Sequence, residues 1–211
     1  DAGLTGVGFG SSSSLGDVDG DGALDLVITG FDGNDRTATV YLGDGTGGFT
    51  DAQAELTGVA FSSSSLGDVD GDGTLDLVIT GRDGNIDETA TLYLGDGDGG
   101  FTDAQAGLTG VRYSSSSLGD VNGDGTLDLV ITGEDANRDP TATLYLGDGD
   151  GGFTGAQAGL TGVSRGSSSL GDVDGDGNLD LVITGDEGNF NRVATLYLGD
   201  GNGGFTDAEA G

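Results

Sequence analysis

Residues 17–25 read DVDGDGALD, and nearly the same nine residues recur at 68–76, 120–128 and 172–180. Aspartate stands at positions 1, 3, 5 and 9 of each copy, except that the third copy has asparagine at position 3. Glycine occupies position 6, where its freedom to adopt a positive φ permits a tight turn. Oxygen ligands at this spacing suit one hard cation. The sequence therefore predicts a metal loop that is repeated four times.

The predicted ligands are the side chains at positions 1, 3, 5 and 9 and the backbone carbonyl at position 7. They are Asp17, Asp19, Asp21, Ala23 and Asp25; Asp68, Asp70, Asp72, Thr74 and Asp76; Asp120, Asn122, Asp124, Thr126 and Asp128; and Asp172, Asp174, Asp176, Asn178 and Asp180. Water would complete the shell of about six or seven oxygens, which suits Ca²⁺ better than a strictly octahedral Mg²⁺. We expect about one structural Ca²⁺ per loop, four in the chain, with the Asn122 site the weakest because it has one carboxylate fewer.

Position 12 distinguishes this loop from a helix-flanked calcium loop, which needs a bidentate glutamate there. The chain instead has isoleucine at position 12, in Ile28, Ile79, Ile131 and Ile183. Each isoleucine lies in a short β-branched run that favours a strand and is too short for a helix. The loop is therefore predicted to join two strands, with the aspartate at position 9 closing the site.

The loop belongs to a longer repeat, because equivalent units begin at Leu4, Leu56, Leu108 and Leu160, each 52 residues after the last. One unit contains four strand patterns, near Ser114–Val121, at Leu127–Thr132, at Thr141–Leu146, and from Phe153 to about Ala158. A four-stranded antiparallel unit of about 50 residues repeated in tandem is typical of propeller blades. We expect an all-β β-propeller as a single domain over 1–211, with four-stranded antiparallel blades at approximately 4–55, 56–107, 108–159 and 160–211.

Composition excludes several classes of function. The 37 acidic residues and six arginines give a net charge of −31, which rules out binding nucleic acid through its phosphates. No apolar run approaches the length of about 18 residues that membrane insertion requires. Without histidine, cysteine or lysine the chain has no ordinary base or nucleophile near pH 7, so we expect no enzyme activity. The acidic, lysine-free composition predicts a halophilic protein that is secreted or displayed at the cell surface.

The arginines gather in the two segments of each unit that differ most between repeats. In an antiparallel blade these segments emerge on the face opposite the metal loops, where a rigid fold commonly carries its binding residues. The same segments contain the five aromatic residues that do not recur in every unit, Phe9, Phe31, Phe61, Tyr113 and Phe190. The candidate ligand-binding residues are Arg36, Arg82, Arg112, Tyr113, Arg138, Arg165, Phe190 and Arg192.

The runs FSSSSLGDVDGDGTLDLVITG (61–81) and LYLGDGDGGF (92–101) resemble an FG-GAP (VCBS-type) repeat. Such repeats build the integrin α-subunit propeller and several lectin-like propellers of fungi and bacteria. The resemblance implies that the metal loop joins the innermost strand to the second strand and that its calcium is structural. Family propellers usually have more blades than this chain, so two assemblies stay open: one small ring, or a homodimer that completes an eight-bladed ring.

Three functions follow from these observations. The first is a calcium-stabilised extracellular binding module of adhesion type, with an unknown protein or glycan ligand on the face opposite the metal loops. The second is a carbohydrate-binding lectin. The third is an engineered or recently amplified structural array with no ligand, which the close similarity of the units favours.

Overall fold

The computed structural model of the chain describes residues 3–189 and 191–209, with Phe9 described by its backbone alone. The described residues form four antiparallel sheets of four strands each, and within every sheet each strand pairs with the next one in sequence. The prediction of an all-β fold made of four-stranded antiparallel units is therefore confirmed. No helix among the described residues is long and apolar enough to cross a membrane.

We number the sheets as units 1 to 4 in chain order. Unit 1 contains β1 (Gly8–Gly16), β2 (Asp25–Phe31), β3 (Arg36–Gly43) and β4 (Phe49–Asp51). Unit 2 contains β5 (Ala60–Gly67), β6 (Asp76–Arg82), β7 (Glu88–Gly95) and β8 (Phe101–Asp103). Unit 3 contains β9 (Arg112–Gly119), β10 (Asp128–Glu134), β11 (Pro140–Gly147) and β12 (Phe153–Ala156). Unit 4 contains β13 (Ser164–Gly171), β14 (Asp180–Asp186), β15 (Arg192–Gly199) and β16 (Phe205–Asp207).

The second strand of every unit begins with the same six residues, Asp-Leu-Val-Ile-Thr-Gly. Its β-branched side chains favour a pleated strand, and Ile28 lies inside β2 as predicted. Successive side chains point to opposite sides of a sheet. Each unit therefore has a leucine face, which in unit 1 carries Leu15, Leu26 and Ile28, and a valine face, which carries Gly16 and Val27.

The core lies between units, where the valine face of one sheet packs on the leucine face of the next. The first core cluster joins Val18, Val27 and Val40 of unit 1 to Leu77, Ile79 and Tyr93 of unit 2. Equivalent residues form the second and third clusters, between units 2 and 3 and between units 3 and 4. Burying side chains of this size stabilises the fold by about 1.5–3 kcal/mol each. A single unit has no such core, so each unit depends on its neighbour.

The innermost strands pack closely because their residues are small. Ser14 Oγ lies 2.7 Å from Ser64 Oγ across the junction of units 1 and 2, and Ser65 Oγ lies 2.7 Å from Ser116 Oγ across the next. The inner strands thus follow one another in the order β1, β5, β9 and β13. Within the described part of the chain β13 packs on β9, and it makes no contact of that extent with β1.

Candidate metal centres and the opposite face

Each acidic loop joins the innermost strand of a unit to its second strand, as predicted, and gathers carboxylates at one point. In three units, carboxylate oxygens from positions 1, 3 and 9 lie within 4.8 Å of one another. These triads are Asp17, Asp19 and Asp25; Asp68, Asp70 and Asp76; and Asp172, Asp174 and Asp180. Three acidic oxygens this close together form a site that suits a hard cation.

The loop itself holds the triad in place. Gly20 and Gly22 adopt φ values of 73° and 89°, which turn the chain back on itself. The Asp17 carboxylate then accepts the backbone N–H of Gly22 at 3.0 Å, and the Asp19 carboxylate accepts that of Asp21 at 3.1 Å. Positions 1 and 3 are thereby oriented by the backbone of their own loop.

The aspartate at position 9 is fully buried and links three segments of its unit. Asp25 accepts the backbone N–H of Val18 at 2.7 Å with one oxygen and that of Gly43, at the end of β3, at 2.8 Å with the other. Asp128 bonds Val121 and Gly147 in the same way. Sequence reasoning assigned this residue to the metal alone and missed its role in holding β2 against β3. The signal available was the recurring glycine 18 residues after this aspartate in unit 1 and 19 residues after it in the other units.

The electrostatics of the triads favour a bound cation. Burial raises the pKa of Asp19, and the charges of Asp25, Asp21 and Asp17 raise it further. One oxygen of Asp17 is buried without a hydrogen-bond partner in the described part of the chain. A buried carboxylate oxygen without a donor costs about 1–3 kcal/mol, and a divalent cation would remove that cost. The residues present therefore fit calcium.

The position-9 aspartates differ between units. Burial raises the pKa of Asp76 and of Asp128, each of which lies beneath the next unit along the chain. Hydrogen bonds from the backbone of Gly199 and Val173 instead lower the pKa of Asp180. Unit 4 is the last described sheet, and no further unit lies over its site within the described residues. Consistent with this, Asp172 and Asp174 are exposed, whereas their counterparts in units 1 and 2 are half-buried.

The third loop departs from the others at Asn122, so it offers no third acidic side chain at this point. The Asn122 amide donates a hydrogen bond to Asp124 at 2.9 Å. Hydrogen bonds from the hydroxyl and backbone of Thr126 lower the pKa of Asp124, and the bond from Asn122 lowers it further. The lower charge of this loop agrees with the prediction that its site is the weakest, which stays a prediction.

Positions 5 and 7 are not part of the triads. The position-5 carboxylate instead accepts hydrogen bonds from position 7: Asp21 accepts the N–H of Ala23 at 2.7 Å, and Asp72 accepts that of Thr74 at 2.8 Å. The roles of position 5 and of the position-7 carbonyl as calcium ligands therefore stay predictions. These residues are Asp21, Asp72, Asp124, Asp176, Ala23, Thr74, Thr126 and Asn178.

The predicted ligand-binding residues lie at the other end of the sheets, which antiparallel pairing places away from the metal loops. Arg36, Arg112 and Arg192 open β3, β9 and β15, whereas Arg82 ends β6. Tyr113 and Arg165 lie in the inner strands β9 and β13, and Arg138 lies in the loop between β10 and β11. Phe190 lies outside the described residues.

Several of these arginines are engaged in ion pairs rather than free for a ligand. Arg82 lies 3.4 Å from Glu88, which lies 3.6 Å from Arg112 of the next unit. Arg112 also donates to Glu134 at 3.2 Å, and Glu134 lies 3.5 Å from Arg165 of unit 4. The five side chains alternate in sign and connect units 2, 3 and 4. Neither glutamate is among the residues predicted from the sequence, although Arg82 with Glu88 and Arg112 with Glu134 are direct partners across paired strands.

A second series of contacts links equivalent positions of the four inner strands. These positions are Gly10, Phe61, Tyr113 and Arg165. All four have positive φ, between 49° and 70°, a conformation that costs a non-glycine residue about 1–2 kcal/mol. The Phe61 and Tyr113 rings lie 4.6 Å apart, and the Arg165 guanidinium lies 4.2 Å from the Tyr113 ring centre. The backbone thus aims one side chain from each of units 2, 3 and 4 at the preceding unit, where Gly10 of unit 1 leaves room for Phe61.

Three arginines, one of them the ion-paired Arg165, border an open cavity of about 580 Å³ between units 3 and 4. Arg138, Arg165 and Arg192 line it together with Glu134 and Asp186. Three of the six arginines in a chain of net charge −31 are thus concentrated around one cavity. Among the predicted residues, these three are brought together, whereas Arg36 lies in unit 1 with its Nε buried.

Comparison with known proteins gives two findings. The model of the FG-GAP-like repeat matches residues 17–79, 68–131 and 120–183. The biofilm matrix protein Bap1 of V. cholerae is structurally similar with a TM-score of 0.37 and 18% identity, over 94% of this chain and 38% of that one. This chain therefore spans well under half of Bap1. Comparison with curated proteins gave no match.

Proposed function

The chain belongs to the FG-GAP-like repeat family, and on that basis we propose that it is a calcium-stabilised binding module of adhesion type that works outside the cell. In this proposal the four sheets are propeller blades, the acidic loops hold structural Ca²⁺, and the opposite face holds the ligand. The module binds without catalysing a reaction.

The calcium assignment is supported by the carboxylate triads and by the buried oxygen of Asp17 that has no donor within the described residues. Bound calcium would supply positive charge between carboxylates that otherwise repel one another. The triad residues of each loop would hold it, with Asn122 replacing one carboxylate in the third. Because the aspartate at position 9 also bonds β3, calcium and the strand pairing would stabilise each other.

The cavity bordered by Arg138, Arg165 and Arg192 carries the ligand proposal. Three arginines against the two acids Glu134 and Asp186 leave the cavity with an excess of one positive charge, and arginine binds carboxylates through paired hydrogen bonds. Arg138 and Arg192 are exposed, so their guanidinium groups are available to a ligand. We therefore infer a ligand that carries carboxylates.

Sugar stacking is less well supported than charge recognition. Tyr113 lies on this face, and its ring is contacted by Phe61 of unit 2 and Arg165 of unit 4. A sugar would have to displace one of these neighbours to reach the ring. A lectin of this fold would therefore recognise an acidic sugar through arginine rather than a neutral one through stacking.

The extracellular location is supported by the chemistry of the calcium loops. They lack the bidentate glutamate that closes a helix-flanked loop, and we expect them to bind calcium at about 10⁻⁴–10⁻³ M, as extracellular modules do. The chain also lacks cysteine, so no disulfide can cross-link it, and bound calcium would stabilise the fold instead. The net charge of −31 further suits a protein that stays dissolved in concentrated salt.

A binding screen tests the proposal. Calcium-loaded protein is applied to acidic peptides, acidic glycans and their neutral counterparts. We expect binding confined to acidic ligands and lost in the double variant Arg138→Gln/Arg192→Gln. The matched double variant Arg36→Gln/Arg82→Gln carries the same net charge and should bind normally. Equal binding by both variants would place the ligand elsewhere, and binding of neutral glycans alone would establish the lectin alternative.

A further inference from the structure

The valine face of unit 4 is uncovered, although the same face is buried in the other units. Val173 is 56% exposed and Val182 is 36% exposed. Their counterparts Val69 and Val78 in unit 2 are 3% and 0% exposed, because unit 3 packs on them. Unit 4 therefore presents half of a junction whose other half is absent from the described chain.

The leucine face of unit 1 is the other uncovered surface. Leu15 and Leu24 are 61% and 59% exposed, whereas their counterparts in units 2, 3 and 4 are half-buried. Leu26 and Ile28 are also half-buried in unit 1, while the corresponding Leu77 is fully buried. Exposed leucines on one side of the molecule thus accompany exposed valines on the other.

The three internal junctions show that these two faces are complementary. At each of them a glycine at the end of the inner strand receives two leucines of the next unit. A Cβ placed on Gly16 would lie 2.7 Å from Leu75 and 3.0 Å from Leu66, and Gly67 and Gly119 are equally close to the leucines that follow them. A Cβ placed on Gly171 would meet no described atom within 4 Å. Leu15 and Leu24 of unit 1 correspond in the repeat to the leucines that fill this space at the internal junctions.

The serine contacts between inner strands also point to a pairing of unit 4 with unit 1. Ser14 bonds Ser64, Ser65 bonds Ser116, and Ser117 bonds Ser168, each pair joining one inner strand to the next. Continuing the series requires Ser169 of unit 4 to meet the serine of unit 1 that corresponds to Ser168, which is Ser13. Both serines are exposed. Apolar and polar contacts therefore identify the same pair of surfaces.

We propose that these surfaces bind a second copy of this chain head to tail, so that unit 4 of each copy packs on unit 1 of the other. Every contact of the new junction repeats one that the chain already makes three times within itself. Two copies joined at both junctions form a closed ring of eight units with no uncovered face. Such a heterologous contact stays finite only when the ring closes. This inference stands independently of the proposed ligand.

The mass of the calcium-loaded chain gives the first test. We expect twice the 20.7 kDa of one chain in light scattering. Gly171→Glu should give the single-chain mass, because it places a charge where the leucines must enter. Gly171 has an ordinary φ and open space around it, so this variant should fold. Gly84→Glu, at an exposed glycine that also has open space, carries the same charge change and should keep the double mass.

Cysteine cross-linking tests the arrangement directly, since the chain has no cysteine of its own. At the internal junctions the glycine Cβ position lies 3.8–3.9 Å from the Cβ of the first leucine, and disulfides need about 3.5–4.5 Å. The double variant Gly171→Cys/Leu15→Cys should therefore oxidise to a covalent dimer. Each single variant should stay uncross-linked, whereas a mixture of the two should form the mixed disulfide.

Four results would overturn the proposal. They are a wild-type chain of single mass, a Gly171→Glu chain that keeps the wild-type mass, a double cysteine variant that oxidises within one chain, and a ladder of covalent species longer than a dimer. The third would mean that the four units close alone, and the fourth that they form filaments. Circular dichroism of each variant with saturating calcium confirms that a mass change does not reflect unfolding.

Discussion

The carboxylate of Asp128 accepts a hydrogen bond from the backbone N–H of Gly147 at 3.0 Å, 19 residues further along the chain. The same carboxylate accepts the N–H of Val121, next to the predicted metal ligand Asp120. One buried side chain therefore connects the metal loop, β10 and β11. A residue that looks like a ligand in the sequence is also part of the fold.

Asp128→Asn should separate these two roles, because the amide has one acceptor oxygen for two N–H donors. We expect the free energy of unfolding in urea to fall by about 1–3 kcal/mol, both with saturating calcium and with a chelator. Asp124→Asn, at an exposed position of the same loop, should reduce stability only in calcium. Equal losses in the two variants under chelator would show that the buried hydrogen bonds contribute little.

Asn122→Asp should strengthen the third metal site. The added carboxylate makes this loop equal to the others, and we expect calcium affinity there to rise about tenfold, equivalent to about 1.4 kcal/mol. Isothermal titration of the variant with calcium should then show no site weaker than the others. Asn178→Asp adds the same charge at position 7, where a backbone carbonyl is the expected ligand, and should change the titration much less. Four sites of equal affinity in the wild type would contradict the ranking.

Glu134→Gln should lower the thermal stability of the protein by weakening the ion pairs on the face opposite the metal loops. Burial lowers the pKa of Arg112, but the hydrogen bond and charge of Glu134 and the charge of Glu88 raise it overall. Removing the charge of Glu134 leaves Arg112 buried with Glu88 as its described acidic partner, at a cost of about 1–3 kcal/mol in thermal unfolding. Glu55→Gln, at an exposed glutamate, should change stability by less than about 0.5 kcal/mol. Equal melting temperatures of the two variants would contradict a stabilising role for Glu134.

Molar potassium chloride should raise the melting temperature of the calcium-saturated protein. At 1 M salt the screening length is about 3 Å, which suppresses repulsion among the surface carboxylates. A gain of about 1 kcal/mol corresponds to about 2–4 °C in a domain of this size. Calcium is held in excess so that competition at the loops does not mask the effect. A melting temperature that falls with salt would argue against adaptation to brine.

Local patterns in the sequence were enough to predict the strands, the four units and the acidic loops. Ile28 at position 12 excluded a helix-flanked site, and that residue lies in β2. Such features depend on residues near one another in the chain, since alternation, turn glycines and ligand spacing act locally. Because the unit recurs, each of these local predictions applies to all four units.

Contacts between distant segments were decided by the tertiary structure. The sequence placed Arg82, Arg112 and Arg165 together on one face, but the fold alone brought Glu88 and Glu134 between them. The sequence also left open whether the units close on themselves. The exposure of Leu15 and of Val173 shows that no other described unit covers these two side chains, and burial of this kind depends on which unit packs on which.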